Sequence, residues 1–382
     1  MNLSVYNDTI LSGEKNSRSI FLALLTDNPM HRTKAFLKHE WLLILAAFGA
    51  ILSGLFAHQW PVCTSDEWDV VWILMGLLWV INGLKRTKLL SKTSEFIERG
   101  KWIIPKLILL TFFLSMFVTN DITLLIIVPL TLTLSLPHKD WIVILEALSA
   151  NAGSALTPFG NPQNLFLYWH YRITPLSFVQ TIAPFSLLFL VLFLIAAIML
   201  RERTSAAIPS KNSEPLQAGV WFYGGMFFLI LLGIFHWLPL WIIVLVPIYA
   251  LFFDREVLQV DYGLIALFLL FFIMTNNFMH LLSIPLERPK IVFLYSIGLS
   301  QIISNVPSAI LLAKFTPHWP ALLWGVNAGG FGSLFGSLAN LIAWRIYVRN
   351  QKNRDTLPFT LLFLFAGFLA LGIAIGWYFL LY

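Results

Sequence analysis

Asp121 lies in the run Phe117-Val118-Thr119-Asn120-Asp121-Ile122, with long apolar stretches on both sides. A carboxylate at membrane depth is expensive and usually functional. It could carry a proton or hold a cation, and Thr119 and Asn120 beside it add oxygen ligands for sodium. A second run, Ile303-Ser304-Asn305-Val306-Pro307, has the same polar pair but no acid. Two longer clusters follow the same style. One contains Asn151, Gly153, Thr157, Pro158, Asn161 and Asn164, and the other Asn327, Gly329, Ser333 and Asn340. Glu146 precedes the first of them and is the other candidate for proton or cation coupling. A helix broken at such a cluster points unpaired N–H groups and its positive dipole end into the gap. That suits anionic or oxygen-rich solutes, while unwound carbonyls suit a cation. Lone Asn residues in membrane helices also hydrogen-bond between helices, and Gly residues also serve close packing.

The elements that must position these residues are membrane helices. The 382 residues are 58% hydrophobic and only 12% charged, against about a quarter charged in soluble chains. Apolar runs near the roughly 20 residues needed to span a bilayer recur along the chain. The predicted fold class is therefore an all-α polytopic membrane protein. Helices are expected at about 41–58, 67–84, 176–200, 219–236, 238–253, 262–280 and 357–381. The segments 102–135 and 289–316 are each two apolar arms around a polar tip, read as re-entrant hairpins. The segments 141–172 and 318–350 are read as broken helices. Cys63 is the one cysteine, which excludes internal disulfides. The start, Met1-Asn2-Leu3-Ser4, is not read as a cleavable signal.

The clusters form a repeat. Asn151, Ala152, Gly153, Phe159, Gly160, Asn164 and Leu165 match Asn327, Ala328, Gly329, Phe335, Gly336, Asn340 and Leu341 at one offset of 176. Asn120 matches Asn305 at an offset of 185, and Asn82 pairs with Asn276 at 194. Weak internal symmetry of this kind marks secondary transporters. Copy one is placed at 41–200 and copy two at 238–382, joined by a loop and linking helix over 201–237.

Basic residues set the orientation. The segment 1–40 carries Lys15, Arg18, Arg32, Lys34 and Lys38, and 85–101 carries Lys85, Arg86, Lys88, Lys92, Arg99 and Lys101. Both are expected in the cytoplasm, as are 201–218 and 345–354. Counting crossings with these constraints leaves a single linking helix between the copies, so the two are inverted and the C-terminus lies outside.

At the quoted motifs the chain resembles the ion transporter superfamily. Val118-Thr119-Asn120-Asp121 and the block from Asn151 to Leu165 are similar to arsenite/antimonite permeases, NhaD-type sodium/proton antiporters and YbiR-like inner-membrane proteins. Divalent-anion/sodium symporters and citrate transporters are more distant in likeness. The resemblance implies two re-entrant hairpins, two broken helices, a homodimer and elevator-type movement. It also implies substrate and ion sites at Thr119, Asn120, Asp121, Gly153, Thr157, Pro158 and Asn161, and at Ser304, Asn305, Gly329 and Ser333. Thr-Asn-Asp in copy one and Ser-Asn-Val in copy two depart from the Ser-Asn-Thr pattern of dicarboxylate carriers.

The expected function is secondary active transport of a small inorganic or organic anion, or its neutral acid form, coupled to H+ or Na+. The alternative is a Na+/H+ antiporter. The absence of Arg at membrane depth argues against a multiply charged substrate held by salt bridges. No cofactor other than the coupling ion, no nucleic acid and no enzymatic chemistry is implied, since the eight histidines have no metal-ligand spacing. The bacterial inner membrane is the expected location.

Overall fold

The computed structural model describes residues 41–57, 63–87, 102–200, 219–281, 286–351 and 355–382. The basic segments 1–40, 88–101 and 201–218, on which much of the orientation argument rests, lie outside the described residues.

Among the described residues the chain is all-helical. In order the helices are α1 (Trp41–Ala57), α2 (Ser65–Arg86), α3 (Ile103–Val118), α4 (Asn120–Thr133), α5 (Lys139–Ser154) and α6 (Pro162–His170). Next come α7 (Pro175–Met199), α8 (Gly219–Ile234), α9 (Leu245–Phe253) and α10 (Tyr262–Leu281). The last five are α11 (Pro289–Ile303), α12 (Asn305–Ala313), α13 (Trp319–Gly329), α14 (Leu338–Asn350) and α15 (Leu357–Leu381). Four apolar segments are long enough to cross a membrane: Ser65–Arg86, Pro175–Met199, Arg255–Asn277 and Leu357–Leu381. Their outward side chains are large and apolar, Leu187, Val191 and Ile195 on α7 and Phe365 and Leu369 on α15 among them. With no apolar partner among the described residues, such a surface belongs in lipid.

One expected helix is divided. The stretch 238–253 opens as a 3₁₀ turn, Leu240–Val244, before α9 begins. Pro239 precedes the turn and Pro247 lies in the first turn of α9, and neither has an N–H to give.

The described residues form two compact units. One holds α1 and α10, where Asn277 Nδ2 donates to Ser53 Oγ at 2.9 Å and Gly49 lies against Met274. The other runs from Cys63 to Val260 and from Leu282 to the end. In it α7 packs on the start of the second break through Phe185, Phe189, Trp324 and Phe331.

Helix α2 fixes the length scale of this second unit. Its 22 residues span about 33 Å, close to the roughly 30 Å hydrocarbon core. Its start is a capping box: Thr64 Oγ1 accepts from Glu67 N, and Glu67 Oε2 accepts from Thr64 N. There Glu67 also meets Lys314 Nζ at 2.8 Å, and Asp66 meets Arg172 at 3.9 Å. Tyr171 OH donates to the Ala313 and Thr316 carbonyls close by. At the far end, Arg86 pairs with Asp254 and Glu256, and Asn82 Nδ2 donates to Val257 O at 3.0 Å. Residues 64–67, 171–172 and 313–316 thus share one end of α2, and 82–86 and 254–257 share the other.

Candidate functional site

The breaks arise from different residues in the two copies. After α5, Pro158 and Pro162 cannot donate to the helix ladder. Helix α6 restarts with Asn161 as its cap, whose Oδ1 accepts from Asn164 N at 2.9 Å, and with Pro162 at the first helical position. After α13 the sequence is Gly329-Gly330-Phe331-Gly332-Ser333. Gly332 takes φ +75°, which only glycine adopts freely.

Four asparagines join the breaks. Asn151 Nδ2 donates to Asn340 Oδ1 at 2.8 Å, and Asn327 Nδ2 donates to Asn164 Oδ1 at 2.8 Å. All four are buried. Each bond runs from the first half-helix of one copy to the second half-helix of the other. Raising copy-one numbers by 176 carries Asn151 and Asn164 onto Asn327 and Asn340, so the repeat exchanges the two bonds. The secondary bonds exchange as well. Asn161 Nδ2 donates to Asn327 Oδ1 at 3.3 Å, and Ser337 Oγ donates to Asn151 Oδ1 at 2.9 Å. Asn164 Nδ2 reaches the Ser154 and Thr157 carbonyls, and Asn340 Nδ2 reaches those of Gly330 and Ser333.

The hairpin tips are equally matched. Thr119 has φ 74° and ψ 153°, and Ser304 has φ 75° and ψ 158°. This region is essentially reserved for glycine, and a residue held there stores strain of about 1–3 kcal/mol. Each tip residue ends one helix and starts the next, and neither side chain caps the new helix. Asn120 Nδ2 donates to Asn151 Oδ1 at 3.0 Å, tying the first tip to the crossing. Asn305 N donates to Gly336 O at 3.0 Å, tying the second. Gly153 and Gly329 allow the broken helices to lie against the hairpins. A Cβ at Gly153 would stand 2.1 Å from Phe112 O, and one at Gly329 would stand 2.5 Å from Ser300 Cβ.

The structure therefore brings Asn120, Asn151, Asn161, Asn164, Asn327 and Asn340 into one network, with Asn305 one bond away through the second break. Gly153, Thr157, Pro158, Gly329 and Ser333 line the unwound turns, and Thr119 and Ser304 form the tips. Asp121 sits in the first turn of α4, half-buried. Among the described residues its carboxylate has no hydrogen-bond or ion-pair partner.

Glu146 stands apart from this network. It is fully buried, Oε1 accepts from Thr131 Oγ1, and Oε2 is unpartnered. Sequence reasoning missed Ser154, Ser337 and Gln301. The offset of 176 applied to Asn161 reaches Ser337 and was the signal available for it. Among the described residues no group of three His, Cys, Asp or Glu could hold a metal ion.

An integral membrane protein whose helices are interrupted at one shared polar crossing has the build of a membrane transporter. Comparison with known proteins agrees. A family model described as citrate transporter matches residues 35–324, and the chain belongs to that family. It is 36% identical over 298 residues to an uncharacterized transporter of Methanocaldococcus jannaschii, covering 75% of this chain and 83% of that one. It is 34% identical over 329 residues to the inner membrane protein YbiR of Escherichia coli, covering 80% and 86%. A shorter stretch of 150 residues is 29% identical to the silicon efflux transporter LSI3 of Oryza sativa subsp. japonica, covering 36% and 31%.

Proposed function

We propose that this transporter moves a small anion or its neutral acid form, of the oxyanion or carboxylate class, by coupling it to H+ or Na+. The observation that carries the reading is the crossing of four asparagines, tied through Asn120 to the tip whose next residue is Asp121. Helices α4, α6, α12 and α14 all start at the breaks or tips, and their N-terminal N–H groups favour an oxygen-rich solute. Carboxamides complement such a solute without fixed charge, which fits a monoanion or an uncharged acid better than a dicarboxylate. The family is named for citrate transport and one relative for silicon efflux; citrate is an oxygen-rich carboxylate, though more highly charged than uncharged carboxamides favour.

The two ends of α2 support the inverted arrangement. Loop charge assigns 85–101 to the cytoplasm, and Arg86 at that end meets Asp254 and Glu256. The other end gathers 64–67, 171–172 and 313–316, which the crossing count assigns to the outside. On this reading the N-terminus is cytoplasmic, the C-terminus is external, and the chain works as a homodimer with an elevator-type movement.

A second reading is a Na+/H+ antiporter, and the Asp121 carboxylate, which has no partner among the described residues, is what favours it. Purified protein in liposomes separates the two. Anion uptake driven by a sodium or proton gradient supports anion transport. Sodium-driven proton movement with no anion present would overturn it. A thermal-shift screen of arsenite, silicate and citrate, with and without sodium, identifies the class, since a true ligand stabilises by RT ln(1 + [L]/Kd).

A further inference from the structure

Glu146 lies in α5 and takes no part in the asparagine crossing. Its side chain is 0% exposed. Oε1 meets Thr131 Oγ1 across the seam between α4 and α5, and Oε2 has no partner. The pair lies away from both the tip and the break. Thr131 is eleven residues past Asn120, about 16 Å along α4. Glu146 is five residues before Asn151, about 7.5 Å along α5. Ser149, one turn beyond Glu146 and also buried, leaves its hydroxyl unpartnered too.

The fold does not demand this acid. The offset of 176 carries Glu146 onto Leu322 and Ser149 onto Gly325. Copy two builds the same half-helix, α13, with a buried leucine at that place, and no side chain of α13 holds an unmet buried polar atom. In a membrane protein, a buried acid without a structural need is a functional group by default. Nor is a cation at hand among the described residues. The helices packed on α5 are α3, α4, α7, α14 and α15. Their titratable side chains are Lys106, Asp121, Arg345, Tyr347, Arg349 and Tyr378, and α5 itself adds Lys139 and Asp140. None of them acts electrostatically on Glu146, whose surroundings are set by burial and by Thr131.

Thr131 suits either protonation state, because a hydroxyl can donate to a carboxylate or accept from an acid. Oε2 decides between them. A charged carboxylate would leave a bare anionic oxygen away from solvent and from any cation, a state far costlier than the uncharged one. A neutral acid leaves only a polar atom short of a hydrogen bond. We propose that Glu146 and Thr131 form a proton-binding site, separate from the solute site and occupied in this packing of α4 on α5. Binding adds H+ to one carboxylate oxygen of Glu146, and release returns it to water once the seam between the two helices is wetted. An alkaline medium that strips the proton leaves an unpaired charge inside the seam and loosens α4 from α5. The site stands whichever ion drives transport.

The test is infrared spectroscopy of the purified full chain, reading the carbonyl band that only a protonated carboxyl gives. At neutral pH, Glu146→Gln, which keeps the shape of the uncharged acid, should remove one such band from the wild-type spectrum. Asp121→Asn should leave that band in place, and so should exchanging choline chloride for NaCl at equal ionic strength. Thr131→Val should shift the band, and Thr131→Ser should keep it where it is. Thermal midpoints give a second readout. Raising the pH should lower the wild-type midpoint more than that of Glu146→Gln. Should Glu146→Gln fail to fold, the shift in Thr131→Val assigns the band instead. The proposal is overturned if wild type and Glu146→Gln show the same carboxyl bands, or if Thr131→Val leaves every band unmoved. It is overturned too if NaCl abolishes the band, or if the two midpoints fall alike with pH. Each of these results concerns Glu146 alone and leaves the transport reading standing.

Discussion

Asn151 and Asn340, 189 positions apart, share a hydrogen bond of 2.8 Å inside the protein. Asn151 is also the acceptor for Asn120 and Ser337. Replacing it by alanine leaves three buried polar groups short of a partner, each worth about 1–3 kcal/mol. Asn151→Ala should therefore lower stability by about 3 kcal/mol or more. Asn327→Ala should act in the same direction. Thermal midpoints in detergent check both, and unchanged midpoints would mean that the crossing does not hold the breaks together.

Asp121→Asn keeps the shape of the side chain and removes its charge. Gradient-driven uptake should fall at least tenfold, the equivalent of about 1.4 kcal/mol, while solute exchange at equal ion concentration on both sides survives. Liposome uptake under the two regimes separates these outcomes. Coupled uptake at the wild-type rate in Asp121→Asn would remove the residue from the mechanism.

The tips make a prediction of opposite sign. Thr119 and Ser304 hold a glycine-type backbone, so glycine at either place relieves strain. After allowing for glycine's larger entropy cost on folding, Thr119→Gly should stabilise by about 1 kcal/mol. If the Thr119 hydroxyl binds substrate or ion, the same variant should transport more slowly. A lower midpoint in Thr119→Gly would show that the side chain, not the backbone, supports the tip.

Glu67 and Lys314 form an ion pair with side chains only 2% and 9% exposed. Removing one partner of a buried pair costs about 3–5 kcal/mol, while removing both charges is often close to neutral. Lys314→Met alone should destabilise strongly. Glu67→Gln combined with Lys314→Met should recover most of the loss, because glutamine still serves the capping box. Cys63 supplies the readout. Its thiol is pushed above its ordinary value by burial first and then by Glu67, with Lys314 opposing. Maleimide labelling of Cys63 should be slower than wild type in Lys314→Met, which removes the opposing cation, and faster than wild type in the double variant, which also removes the Glu67 charge.

Much of this was legible in the sequence because polar residues are rare in an apolar chain and stand out against it. The offsets of 176 and 185 located the tips and the breaks. They could not show that Asn151 bonds to Asn340 rather than to Asn164 in its own copy, because pairing across copies is a property of packing. Gln301 escaped notice for a related reason. One glutamine near a helix end reads as ordinary, and its bonds to Ser333 N and Gly329 O in the second break are a property of packing. The division of 238–253 was signalled by Pro239 and Pro247, but apolar continuity outweighed them.

The crossing also dictates an order of assembly. Asn151 and Asn164 each bond to a side chain of the other copy, 189 and 163 positions further along. During synthesis from the N-terminus the first half is in place long before Asn327 and Asn340 have been made. Until then the bonds within copy one, from Asn120 to Asn151 and from Asn164 to the Ala155 carbonyl, are in reach, but the cross-copy half of each amide's bonding is unmet, and in hydrocarbon that state is costly. The first half must wait, shielded by water or by the insertion machinery, for the last third of the chain to arrive and complete it.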